Sequence, residues 1–89
     1  MKAVISVIGK DAVGIIAKVS AGCAEAHANI LDISQTVLQE YFTMIMIVSI
    51  DELNEPFVKF IDRMEALGRR ESLHIHVMHE DIFNAMHRI

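Results

Sequence analysis

From Lys2 to Ile8 the chain is apolar and β-branched on both faces, which predicts a strand lying between other strands. Gly9-Lys10-Asp11-Ala12-Val13-Gly14 breaks that run. Asp11 is a candidate N-cap, since its carboxylate can accept from the free amides that open a helix, and a first helix is expected from about Ala12. Its inward stripe is Ala12, Ile16, Val19, Cys23 and Ala26, while Ser20, Ala21, Gly22 and Ala24 keep the remaining surface slim. From Ile30 the period becomes two. Leu31, Ile33 and Val37 fall on one face and Asp32, Ser34 and Thr36 on the other, as in a half-buried strand at a sheet edge. Gln39-Glu40 offers a turn, and Tyr41 to Ile50 returns apolar on both faces, as a central strand would.

A second helix is bracketed by Asn54 as N-cap, Pro56 in the first turn and Gly68 just past the end. Phe57, Phe60, Ile61, Met64 and Leu67 form its apolar face. Ser72 to Met78 alternates once more, with Leu73, Ile75 and Val77 inward and His74, His76 and Met78 on the opposite side. A short last helix over about 81–88 is expected, capped by Asp81.

The resulting order is βαββαβ. Right-handed crossovers put both long helices on one face of a four-stranded antiparallel sheet, an α+β, ferredoxin-like sandwich with a short C-terminal helix, and 1–89 reads as one domain. The other sheet face would lack helices. Because 53% of the residues are hydrophobic and only 22% charged, a chain of 89 residues carries more apolar surface than a small monomer easily hides, and self-association into a homodimer or higher oligomer is expected.

Charge and cysteine content narrow the chemistry. Eight Lys and Arg against twelve Asp and Glu give a net charge of −4, the wrong sign for a chain that neutralises phosphates, so no direct nucleic-acid partner is expected. The apolar stretch Met44 to Ile50 is far short of the ~20 residues of a membrane-spanning helix, and no membrane partner is expected. The single cysteine, Cys23, can form no internal disulfide, which suits a reducing, cytoplasmic setting. Lying on the helical stripe, it reads as a packed hydrophobe rather than a nucleophile, although His27 follows one turn later. His74 and His76 project to one strand face and could join His79 or Asp32 around a metal, but two ligands alone specify no site, and neither metal nor cofactor is expected. The Gly9–Gly14 segment is the strongest functional signal. A strand-to-helix turn with two glycines presents backbone amides at the positive end of a helix and suits a carboxylate, while Asp11 could accept from an ammonium.

The run Val7-Ile8-Gly9-Lys10-Asp11-Ala12-Val13-Gly14-Ile15-Ile16-Ala17, followed by Ala28-Asn29-Ile30-Leu31-Asp32-Ile33-Ser34-Gln35, resembles the ACT domain family, specifically its small stand-alone members similar to the glycine-cleavage-system regulator. The resemblance covers nearly the whole chain in element order. It implies a non-enzymatic regulatory domain that binds an amino acid or other small metabolite and associates through sheets or helices. Carried over residue by residue, it implies a ligand site formed by Asp11, Ala12, Val13, Gly14 and Ile15 together with Asn29, Ile30 and Leu31. Val13 stands where relatives often carry a proline before the loop glycine, which costs the loop some rigidity. Two readings follow: a homo-oligomeric amino-acid sensor of metabolic control, with a regulated protein as a further partner, or a ligand-free dimerisation or protein-interaction module.

Overall fold

The computed structural model describes residues 1–10 and 13–86. Its elements are β1 (Lys2–Gly9), α1 (Ile15–Glu25), β2 (Asn29–Leu38), β3 (Tyr41–Ser49), α2 (Phe57–Arg70), β4 (His74–His79) and α3 (Glu80–Met86). The strands form one antiparallel sheet in the order β2-β3-β1-β4, the α+β, ferredoxin-like arrangement expected from the pattern. The two strands that are apolar on both faces, β1 and β3, are the central ones. No helix among the described residues is long and apolar enough to cross a membrane.

One sheet face carries Ala3, Ile5 and Val7 of β1, Phe42, Met44, Met46 and Val48 of β3, and Ile75 and Val77 of β4, all buried. Val19 and Cys23 of α1 and Phe60, Met64 and Leu67 of α2 close over them as one core. Each large side chain buried there contributes roughly 1.5–3 kcal/mol, so the methionines act as ordinary core filler.

Several boundaries differ from the expected ones. Helix α1 begins at Ile15, with Gly14 at the N-cap position in the left-handed region (φ 75°) and no side chain capping it. The expected Asp11 cap and Ala12 start lie outside the described residues. Val19, Cys23 and Ala26 of the expected stripe are buried, but Ile15 takes the inward place one turn before Val19, and Ile16, expected inside, is 38% exposed. Asn54 does not cap α2, whose N-cap is Pro56. Asn54 instead fastens the end of α1: its backbone N–H donates to the Ala26 carbonyl at 3.1 Å and its side-chain Nδ2 to the Glu25 carbonyl at 2.8 Å. Arg63 tightens the same junction with a two-pronged contact to Glu55 (2.7 and 3.1 Å) and a third to Glu25 at 3.3 Å, and the guanidinium holds the Glu55 carboxyl below the ordinary carboxylate range.

Gly68 lies inside α2 rather than past its end, because the helix runs on to Arg70 and β4 starts at His74 rather than Ser72. A Cβ on Gly68 would stand 2.8 Å from the Leu73 carbonyl oxygen, so glycine lets α2 lie flat on the strand that follows it. Strand β2 is not half-buried. Nearly all of it is exposed, and Ile33 and Val37, on the helix side of the sheet by register with Met46 and Phe42, remain 38% and 66% accessible. The last helix begins at Glu80, ahead of the expected start, so Asp81 lies in its first turn rather than capping it and donates its N–H to His79 Nδ1 at 3.1 Å; residues 87–89 lie outside the described part. The helix turns beneath the sheet against β1 and β4, so the second face is not wholly bare: Phe83 walls a pocket with Val4, Ser6, Ile45, His76 and Met78.

Candidate ligand-binding site

Glycine 14 bends the chain at the head of α1 in a conformation that a β-carbon disfavours. The first turn of α1 has no acidic residue, so among the described residues no side chain neutralises the positive end of its dipole. Val13 and Gly14 are exposed, whereas Ile15 is buried and anchors the turn in the core. Of the two loop glycines only Gly14 faces outward. Gly9 ends β1 buried, where a Cβ would meet the Leu73 side chain at 2.5 Å, so its smallness serves packing.

The second half of the expected site lies elsewhere. In the sheet register Asn29 pairs with Ser49, which also pairs with Lys2, at the start of β1, while Gly9 pairs with Phe42 at the other end. The Val13–Ile15 segment and Asn29 thus occupy opposite ends of α1, whose 11 residues span roughly 16 Å. One chain cannot bring them together.

Around Asn29 the structure has an open groove of about 380 Å³, lined by Ser20 and Ala24 from the flank of α1 and by His27, Ala28, Asn29 and Ile30. Asn29 is exposed, its side-chain amide makes no hydrogen bond among the described residues, and Leu31 lies exposed beside a register shift between Ile30 and Asp32. Ser20, Ala24 and His27 were not among the expected site residues. The small residues of α1 were the available signal, since they leave room beside the strand. His27 shapes the groove through its backbone: at φ 62° it lets the Ala28 N–H turn back to the Cys23 carbonyl at 2.9 Å, closing α1 and launching β2.

The other candidate chemistries do not assemble. Cys23 is fully buried, and that burial pushes its thiol up to about 11, so it is not a poised nucleophile. His74 and His76 do share a face, opposite Ile8 and Ser6, but His79 lies on the other face with Ile75 and Val77, its ring edge against Phe57. Asp32 belongs to the far edge strand, three strands or roughly 14 Å from β4. Among the described residues no group of three metal-binding side chains occurs.

Comparison with known proteins agrees with this architecture. The chain is 49% identical over 89 residues to a UPF0237 protein of Clostridium acetobutylicum, covering the whole of both. The solved structure of an ACT domain protein from Streptococcus pneumoniae is 48% identical, with 93% of each chain covered and a TM-score of 0.83. A putative glycine cleavage system transcriptional repressor, 24% identical, matches 85% of this chain and 43% of its own with a TM-score of 0.70, a likeness of fold. Residues 2–78 match the ACT domain family, whose members are small-ligand-binding regulatory domains, and the chain belongs to that family.

Proposed function

We propose that this protein is a cytoplasmic, non-enzymatic regulator of metabolism that works as a homo-oligomer and binds a small amino acid between two copies. The supporting observation is the division of the site: a helix start at Gly14 that no side chain caps among the described residues, suited to a carboxylate, and an exposed Asn29 amide without a hydrogen bond among the described residues, suited to an ammonium, at opposite ends of α1. Across a two-fold axis those halves exchange ends. If β2 runs antiparallel to β2 of a second copy, the Asn29 end of one strand comes beside the Gln39–Glu40 turn of the other, the end of the molecule that carries Val13–Ile15. Backbone amides then hold the carboxylate, and Asn29, with Asp11 and the walls formed by Ala12, Ile30 and Leu31, receives the ammonium end.

A thermal-shift screen of the standard amino acids, followed by calorimetry, tests this reading. An amino acid at ~100 times its dissociation constant adds ~2.7 kcal/mol, which for a domain this small raises the midpoint by about 10 °C or more. Asn29→Ala and Asp11→Asn each weaken the binding of that amino acid by about 1 kcal/mol or more while leaving the unliganded midpoint little changed. Equal affinity in both variants would place the site elsewhere. The absence of heat with every amino acid would favour the second reading, a ligand-free interaction module, which draws on the exposed apolar side chains Ile8, Ile45 and Ile47 of the second sheet face.

A further inference from the structure

On the sheet face that α1 and α2 leave open, α3 walls a pocket of about 260 Å³ lined by Val4, Ser6, Ile45, His76, Met78 and Phe83. The sheet register explains why these side chains converge. Ser6 pairs with Ile45 on one side and His76 on the other, and Val4 pairs with Met78, so five of the six stand on adjacent strands of one face. Directly opposed residues hold their β-carbons about 4.5–5.5 Å apart, close enough for one small group to touch both Ser6 and His76. Among the described residues neither of these side chains makes a hydrogen bond. The pocket therefore combines apolar walls with two convergent, unengaged polar groups, the usual make-up of a small-molecule site.

We propose that this pocket binds a small monocarboxylic acid with a compact apolar tail, its carboxylate between Ser6 and His76 and its tail against Val4, Ile45, Met78 and Phe83. The chemistry of the lining selects that class. The serine O–H and an imidazole N–H are both donors, and imidazole keeps one N–H whether neutral or protonated, so both can serve a carboxylate. Among the described residues no Lys or Arg lines the pocket to balance the second charge of a phosphate, and no Asp or Glu lines it to receive an ammonium, so the described lining favours a monocarboxylate over phosphate esters and amino acids. At about 30 Å³ for each water-sized group, the volume takes some eight non-hydrogen atoms, the size of a branched five-carbon acid. This site is separate from the one divided between Gly14 and Asn29, and its ligand class differs.

Methyl-detected NMR titration with 3-methylbutanoate, 3-methylbutanamide and leucine tests the proposal. The acid is expected to give saturable shifts at the methyls of Val4, Ile45 and Met78, with the amide and leucine binding at least about tenfold more weakly. Ile45→Trp fills the pocket from a position already 43% exposed and should abolish those shifts, and Ser6→Ala should weaken the acid about tenfold. The spectra of the unliganded variants report whether each has folded. Absence of saturable shifts with the acid overturns the proposal, as does an equal affinity for the amide, undiminished binding in Ser6→Ala, or shifts centred on Ala28 and Ile30.

Discussion

His27 and Ser72 are residues that the pattern of apolar positions passes over, yet each ends a long helix. Both adopt a positive φ, 62° and 58°, and each lets the next amide reach back, from Ala28 to the Cys23 carbonyl at 2.9 Å and from Leu73 to the Gly68 carbonyl at 2.7 Å. Helices usually place glycine at that position because an L side chain there costs about 1 kcal/mol. Ser72→Gly is therefore expected to stabilise the protein by roughly 0.5–1 kcal/mol, read as a rise in the urea midpoint at unchanged slope. A fall in the midpoint would mean that the Ser72 side chain makes a contribution its backbone does not reveal. His27→Gly should gain as much while removing one wall of the groove at Asn29, so stability and ligand affinity would move in opposite directions. These two closures were hidden in the sequence because neither carries the glycine that marks such an end.

At the scale of elements, two glycines that look alike in sequence have opposite meanings. A β-carbon on Gly68 meets the Leu73 carbonyl at 2.8 Å and the Ile75 side chain at 3.1 Å, and the carbonyl belongs to a backbone that cannot retreat without shifting β4. A β-carbon on Gly22 meets the Met64 sulfur at 3.2 Å, the end of a flexible side chain. Gly68→Ala should thus cost about 1–3 kcal/mol despite alanine's better helix propensity, whereas Gly22→Ala should be near neutral or stabilising by up to ~1 kcal/mol. Equal thermal midpoints for the two variants would refute the close approach of α2 to β4.

The elements themselves were largely legible: periods of two and of three to four located the four strands and both long helices, and the apolar-on-both-faces runs identified the central strands. The start of α1 was not, because Ile15 and Ile16 offer two equally apolar phases and only the left-handed turn at Gly14 chooses between them. The exposure of β2 was not legible either. Alternation shows that a strand has two faces, but how far a helix layer extends over it depends on α1 and α2 docking against other strands. Of the candidate site, Gly14 came from the two-glycine turn and Val13 and Asn29 from the resemblance, and all three are exposed; the small residues of α1 signalled a slim flank, but which strand that flank meets, and so the groove beside Asn29, is a tertiary feature no local pattern encodes.

For the whole molecule, the open edge of β2 is the feature a lone chain manages worst. Ten residues long and free of proline, it exposes Leu31, Ile33, Val37 and Leu38, and its one charged residue, Asp32, accepts from the N–H of Ile33 at 2.9 Å. Such an edge is a template for another strand. A two-fold axis pairs a strand antiparallel with its own copy, and centring the axis on Gln35 sets Ile33 opposite the second copy's Val37 on the helix side and Ser34 opposite its Thr36 on the other. Apolar then meets apolar and hydroxyl meets hydroxyl. This register can be read with charges. Ile33→Lys with Val37→Lys sets like charges directly across the axis and should leave a monomer at micromolar concentration, whereas Ile33→Lys with Val37→Glu sets opposite charges there and should preserve the dimer. Within one strand the two positions are four residues, roughly 13 Å, apart, so the contrast reports the contact between copies rather than one inside the chain. Sedimentation of the wild type and both double variants decides it. A monomeric wild type removes the dimer altogether, and identical behaviour of the two double variants removes this register and, with it, the geometry that brings Asn29 of one copy to the Gly14 end of the other.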